Sequence, residues 1–197
     1  WQGGVRLTLA PAHPATFSLR VRIPGWAQGR PVPSDLYSYA EAAPAWSLRV
    51  GGRAVAAELE DGYAVITREW RAGDTVELDL PMPVHAVRGN PRIAATQGRV
   101  AFERGPMVYC VEDVQNGLAP DHLAIPPTAK IAAVARPDLL GGVTALTVTG
   151  ALDSAQADAS PLRAFTLIPY YAWNNRGLAP MAVWLQRAPA QALASVR

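Results

Sequence analysis

Apolar and polar residues alternate with a period of two along most of this chain, the mark of strands with one face in a core and one in water. In Phe17-Ser18-Leu19-Arg20-Val21-Arg22-Ile23 the side chains of Phe17, Leu19, Val21 and Ile23 share one face, and Ser18, Arg20 and Arg22 the other. Thr75-Val76-Glu77-Leu78-Asp79-Leu80 repeats the arrangement, and Val5, Leu7 and Leu9 match it near the start. Turn residues punctuate the pattern. Gly51-Gly52, between strands Trp46–Val50 and Arg53–Glu58, is a two-residue hairpin signature. Asp61-Gly62 and Ala72-Gly73-Asp74 bracket a strand over Tyr63–Trp70. Pro81 and Pro83 cannot sit mid-sheet and mark a boundary or an edge. Beyond them the pattern predicts strands at Val84–Arg88, Gly98–Arg104, Met107–Glu112, Val143–Thr149, Leu162–Ile168 and Met181–Leu185. Two stretches break the rhythm: Ser34–Glu41 reads as one helical turn capped by Ser34, and Gln115–Pro127 as a polar, Pro-containing loop.

The expected fold is all-β, with two consecutive antiparallel β-sandwich modules over residues 1–85 and 86–187 and a tail over 188–197. One larger sandwich is the alternative, and the last strand can return to the first module. Leu19, Val21 and Ile23 are the expected core of the first module, and Val100, Phe102 and Val108 that of the second.

Composition narrows the function classes. Half of the residues (50%) are hydrophobic, ample for a core, and 18 Pro with 16 Gly suit many short strands joined by tight turns. Of the 18 basic residues only Lys130 is lysine, and they are scattered singly, giving a net charge of +2. The basic stripe of a nucleic-acid partner is missing, and no stretch approaches the roughly 18 apolar residues that span a bilayer. Cys110 is the single cysteine, so neither a disulfide nor a Cys-based zinc cluster can form within the chain. The chain opens at Trp1, one turn ahead of a strand, where a frayed polar lead-in is usual. That opening suggests the C-terminal part of a longer polypeptide, whose localisation, periplasmic or cytoplasmic, is not written here.

Candidate chemistry is sparse. Glu103, Glu112 and Asp113 are close in sequence, and a retaining glycosidase needs two carboxyls about 5–5.5 Å apart, yet acids on the wet face of a strand are the simpler expectation. His13, His85 and His122 show no ligand spacing, and neither a G-x-S-x-G phrase nor a Gly-rich phosphate loop occurs. Tyr170-Tyr171-Ala172-Trp173-Asn174-Asn175-Arg176 combines aromatic faces that stack on sugars with Asn and Arg that bond hydroxyls. The plainer assignment, which the pattern favours, is a strand with Tyr171 and Trp173 alternately placed, ending in an Asn-Asn turn. Trp26, after Pro24-Gly25, faces the same choice between a plug at a domain junction and a sugar contact.

Four phrases in order carry a family resemblance. They are Leu19-Arg20-Val21-Arg22-Ile23-Pro24-Gly25-Trp26-Ala27; Gly62-Tyr63 to Trp70 with Gly73 to Pro83; Asn90-Pro91 with Gly98 to Cys110; and Pro169 to Gly177 with Met181 and Trp184. Together they resemble the C-terminal region of glycoside hydrolase family 127, the β-L-arabinofuranosidase-like enzymes. The resemblance implies a large bacterial enzyme whose N-terminal (α/α)6 barrel precedes β-sandwich domains and carries a Cys nucleophile with Cys and Glu ligands to zinc. None of those positions has a counterpart here, so the expectation is no catalytic, cofactor-binding or metal residue in this chain and zinc only in the barrel. Cys110, inside an apolar strand and without a paired Cys, reads as a small hydrophobe. The expected role is a non-catalytic region buttressing the barrel as its partner. The alternative is a carbohydrate-binding module. Trp26, Tyr170, Tyr171, Trp173, Asn174 and Arg176 are the candidate interface or sugar contacts.

Overall fold

The computed structural model describes residues 1–117, 119–153 and 163–188. Two compact units emerge: Trp1–Pro33 with Ala42–Pro83, and Ser34–Glu41 with the chain from Val84 onward.

In the first unit a four-stranded sheet runs Gly4–Thr8, Thr75–Asp79, Ser47–Val50, Arg53–Ala54, and a three-stranded sheet runs Ala15–Arg22, Tyr63–Trp70, Glu58–Glu60. Their apolar faces share one core, with Val21, Ala64, Ile66 and Trp70 from one sheet and Leu48, Val50, Val76 and Leu78 from the other. Val21 and Ile23 are buried as the alternation requires, while Leu19 is half-buried. Phe17 is 39% exposed, although its carbonyl accepts the indole N–H of fully buried Trp70 at 3.0 Å. Val5 and Leu7 stand opposite Leu78 and Val76, hence on the core side, yet both are exposed. Gly4–Thr8 is an edge strand, where little lies over the side chains. The expected strand Arg53–Glu58 is broken: Arg53–Ala54 and Glu58–Glu60 lie in different sheets, and the chain changes sheet between them. Gly51 and Gly52 turn the hairpin with φ of 55° and 76°, both in the region a type I′ turn demands.

Strands of the second unit form one continuous hydrogen-bonded path. Arg99–Arg104, Met107–Glu112, Arg163–Pro169, Val143–Asp153, Leu123–Ile125 and Leu185–Arg187 pair in that order, and the last returns to the first. Ring closure leaves these strands little free edge. The pair Leu123–Ile125 with Leu185–Arg187 is parallel, against the antiparallel expectation. Val100, Phe102, Tyr109, Val111, Leu146 and Leu167 fill the core. Val108, expected there, is half-buried, whereas Cys110 on the other face is buried with Leu139, Ile168 and Ala172. Met107–Glu112 is thus covered on both faces, which is why its sequence is a run and not an alternation.

Three local expectations are corrected. Ser34–Glu41 is no helical turn: Tyr37–Tyr39 is a strand along Val84–Gly89, and Ser34 Oγ only accepts the N–H of Leu36 at 3.4 Å. The stretch Gln115–Pro127 contains the wholly buried strand Leu123–Ile125 and is not a polar loop throughout. Lys130–Arg136 is a further strand, which the alternation does not mark, and it pairs with Val143–Asp153. The expected tail lies, beyond Ala188, outside the described residues.

Candidate functional site

Tyr170–Ala172 is a 3-10 turn, not the expected strand. Pro169 ends the preceding strand, and the turn rolls Tyr170 and Tyr171 outward to 47% and 63% exposure while Ala172 is buried. Trp173 is half-buried against the Cys110 cluster, with its ring 6.1 Å from that of Tyr170 and its N–H donating to the Ala179 carbonyl at 3.2 Å. Asn174 takes a left-handed φ of 67°, which Asn tolerates, and its backbone N–H donates to Glu112 Oε1 at 3.1 Å. The Arg176 guanidinium donates to Glu112 Oε2 and to Gln115 Oε1. Asn116 completes the base: its amide donates to the carbonyls of Glu112 and Thr166 and accepts the Thr166 N–H at 2.8 Å.

Glu112 is therefore not the solvated acid expected. It is 1% exposed, because it ends a strand covered on both faces. An ionised carboxylate there needs a partner, and Arg176 supplies it. Gln115 and Asn116 carry no sequence signal of this role, and Glu112 reads from sequence as a solvated acid. Their partners lie some sixty residues on, and the one signal was an acid closing the apolar run Met107–Val111.

Cys110 lies beside this base. Burial, and secondarily the Glu112 charge, push its thiol up to about 12, so a nucleophilic or metal-binding thiolate is not available at neutral pH. Among the described residues no group of three His, Cys, Asp or Glu side chains is arranged to hold a metal ion. The zinc implied by the resemblance does not fit these residues.

A second polar cluster joins elements distant in sequence. Tyr39 O–H donates to Glu103 Oε2 at 3.0 Å, and its ring stacks on His85 with centroids 4.3 Å apart. Glu103 and His85 face each other in register. Burial raises the Glu103 carboxyl, opposed by the Tyr39 hydrogen bond, and lowers the buried His85, opposed by the Glu41 charge. Glu103, expected on a wet face, is half-buried here, and it pairs with Tyr39 as Glu112 pairs with Arg176. His13 is exposed and His122 half-buried, each in its own setting. Trp26 belongs to the first unit, where it is half-buried against that unit's core.

Known proteins are similar to this chain in sequence and fold. Residues 1–82 match the model of the beta-L-arabinofuranosidase GH127 middle domain, and residues 84–186 that of the glycoside hydrolase family 127 C-terminal domain. A non-reducing end beta-L-arabinofuranosidase of Bifidobacterium longum subsp. longum is 36% identical over 95% of this chain, which spans 29% of that relative. A solved GH127 beta-arabinofuranosidase superposes with a TM-score of 0.87 at 38% identity, over 95% of this chain and 30% of its own. A GH127 beta-L-arabinofuranosidase from Geobacillus stearothermophilus T6 gives 0.81 at 37% identity, over 95% and 29%. With both of its domains matched in sequence order and its fold repeated in these structures, the chain belongs to glycoside hydrolase family 127.

Proposed function

We propose that this chain is the non-catalytic C-terminal region of a β-L-arabinofuranosidase-type glycoside hydrolase, buttressing a barrel that performs the hydrolysis and holds zinc. The observation that carries this reading is the ordered match to the middle and C-terminal domains across a chain spanning 29% of its relative. The chemistry of the chain agrees: its one thiol is buried and protonated, and the carboxylate beside it is committed to Arg176. Tyr170 and Tyr171 are the contact surface in this reading. They are exposed, and the chain just after them is held by Glu112 through the Asn174 N–H and Arg176, which lowers the entropy lost on docking. Interfaces between domains of one chain typically cover about 600–1,500 Å².

The test has two arms. The isolated chain is expected to leave an aryl β-L-arabinofuranoside intact, and turnover abolished by Cys110→Ala would overturn the reading. In the longer protein, Tyr170→Ser with Tyr171→Ser is expected to lower the melting temperature of the barrel. No change there, with arabino-oligosaccharide binding by the isolated chain that Trp173→Ala removes, would favour the binding-module role instead.

A further inference from the structure

A groove of about 480 Å³ lies in the second unit, lined by Met181, the strand partner of Glu112, but by neither Glu112 nor Arg176. It is bordered by the 3-10 turn Pro120–His122, the segment Pro180–Trp184 and the start of the strand Arg99–Arg104. Its volume falls inside the range of small-ligand sites, roughly 300–1,000 Å³.

The lining is chemically mixed in a particular way. Pro120, Met181 and half-buried Trp184 give an apolar part, while exposed Arg99, Asp121 and Gln186 bring one cation, one anion and one amide. The groups are positioned but not consumed. Arg99 donates through Nη1 to the Trp184 carbonyl at 3.3 Å, leaving its remaining N–H groups free of protein partners among the described residues. Gln186 donates to the Asp121 backbone carbonyl at 3.2 Å, which ties the turn to the strand and, among the described residues, leaves the Asp121 carboxylate and Gln186 Oε1 as open acceptors. The Trp184 indole is held by the Tyr37 ring, with centroids 5.3 Å apart.

We propose that this groove binds one neutral sugar unit. A ligand with net charge would be attracted by one of Arg99 and Asp121 and repelled by the other, gaining little from its charge, whereas vicinal hydroxyls both donate and accept. Such a diol satisfies the guanidinium and the carboxylate together, and the C–H face of the ring packs on the apolar part. Within the family reading the unit is an L-arabinofuranosyl residue. That choice of sugar rests on the proposed function, but the neutral-sugar chemistry does not.

Amide-resolved NMR of the full 197-residue chain tests it. Titration with L-arabinose and with an L-arabinofuranosyl disaccharide is expected to give saturable shifts at Arg99, Asp121, Gln186 and the Trp184 indole. Asp121→Ala and Arg99→Met, at exposed positions, are expected to keep the spectrum and weaken binding about tenfold each. Shifts that glycerol reproduces, shifts elsewhere only, or affinity untouched by both substitutions would overturn the proposal. Activity of the longer enzyme tests the buttress reading separately. A fully active parent whose groove does not titrate sinks the groove alone, and a chain that titrates but fails to support a barrel sinks the buttress alone.

Discussion

Arg176→Met is the most informative single perturbation. It removes the cation facing a carboxylate that is 1% exposed, while the methionine keeps most of the aliphatic volume. Glu112 then retains the Asn174 N–H at 3.1 Å but has no counter-charge. Breaking one side of a buried pair costs about 3–5 kcal/mol. The Arg176 side chain is 25% exposed, so water can follow into its place, and the expected cost drops to about 2–4 kcal/mol. At about 2–4 °C per kcal/mol for a chain of this size, the melting temperature falls by roughly 4–16 °C. The double variant Glu112→Leu with Arg176→Met removes both charges and is expected to lie within about 1 kcal/mol of the parent. Urea unfolding of the four members of the cycle then gives a coupling energy of about 2 kcal/mol or more. Glu112→Gln carries an independent signature, because the Cys110 thiol loses one of the two causes holding it up and titrates lower. A loss below about 0.5 kcal/mol for Arg176→Met would place the pair among ordinary surface ion pairs and refute this reasoning.

Other expectations follow from burial and charge. Val21→Ala, at a position 7% exposed in the first core, is expected to cost about 1–3 kcal/mol in urea unfolding, and a cost near zero would contradict the burial of its face. The Glu103 carboxyl, raised above its ordinary 4.5, favours the fold fully below that pH and progressively less as pH rises through its folded value. Glu103→Gln should therefore leave stability equal or higher at neutral pH and flatten that part of the profile; a marked loss at pH 7 would argue against it. His85 runs the other way: lowered from 6.5, it supports the fold above that pH and loses this support as pH falls through its folded value, a slope His85→Gln should remove. Cys110 should resist iodoacetamide at pH 8 in the folded chain and react in urea, as mass spectrometry would report.

Legibility from sequence followed the range of the interactions. The face of Val21 and Ile23 could be read because alternation is local, and Gly51-Gly52 because a two-residue turn states its own conformation. The exposure of Val5, Leu7 and Phe17 could not, since apolar residues at an edge alternate as central ones do. Tyr37-Ser38-Tyr39 is too short for a period to be measured, and its pairing partner begins at Val84. Two acids were misjudged for the same reason. Whether Glu112 or Glu103 is solvated depends on Arg176 and Tyr39, which only the folded chain brings near. The Tyr170–Arg176 segment stands out by its composition, but its 3-10 turn, which exposes Tyr170 and Tyr171 together and leaves Trp173 half-buried, is not written in the alternation.

The pairing of Tyr37–Tyr39 with Val84–Gly89 also sets a timetable for biosynthesis. At about 5–20 residues per second, the short strand leaves the ribosome roughly 2–9 s before its neighbour exists. The first unit cannot store it meanwhile, since its own sheets do not include it. The same thread limits inheritance. The two matched domains divide between residues 82 and 84, but a gene fusion cut there would deliver the C-terminal domain without its outermost strand. The bare rim of Val84–Gly89 would then be open to any passing strand. Middle and C-terminal domains of this kind are expected to travel between genes together.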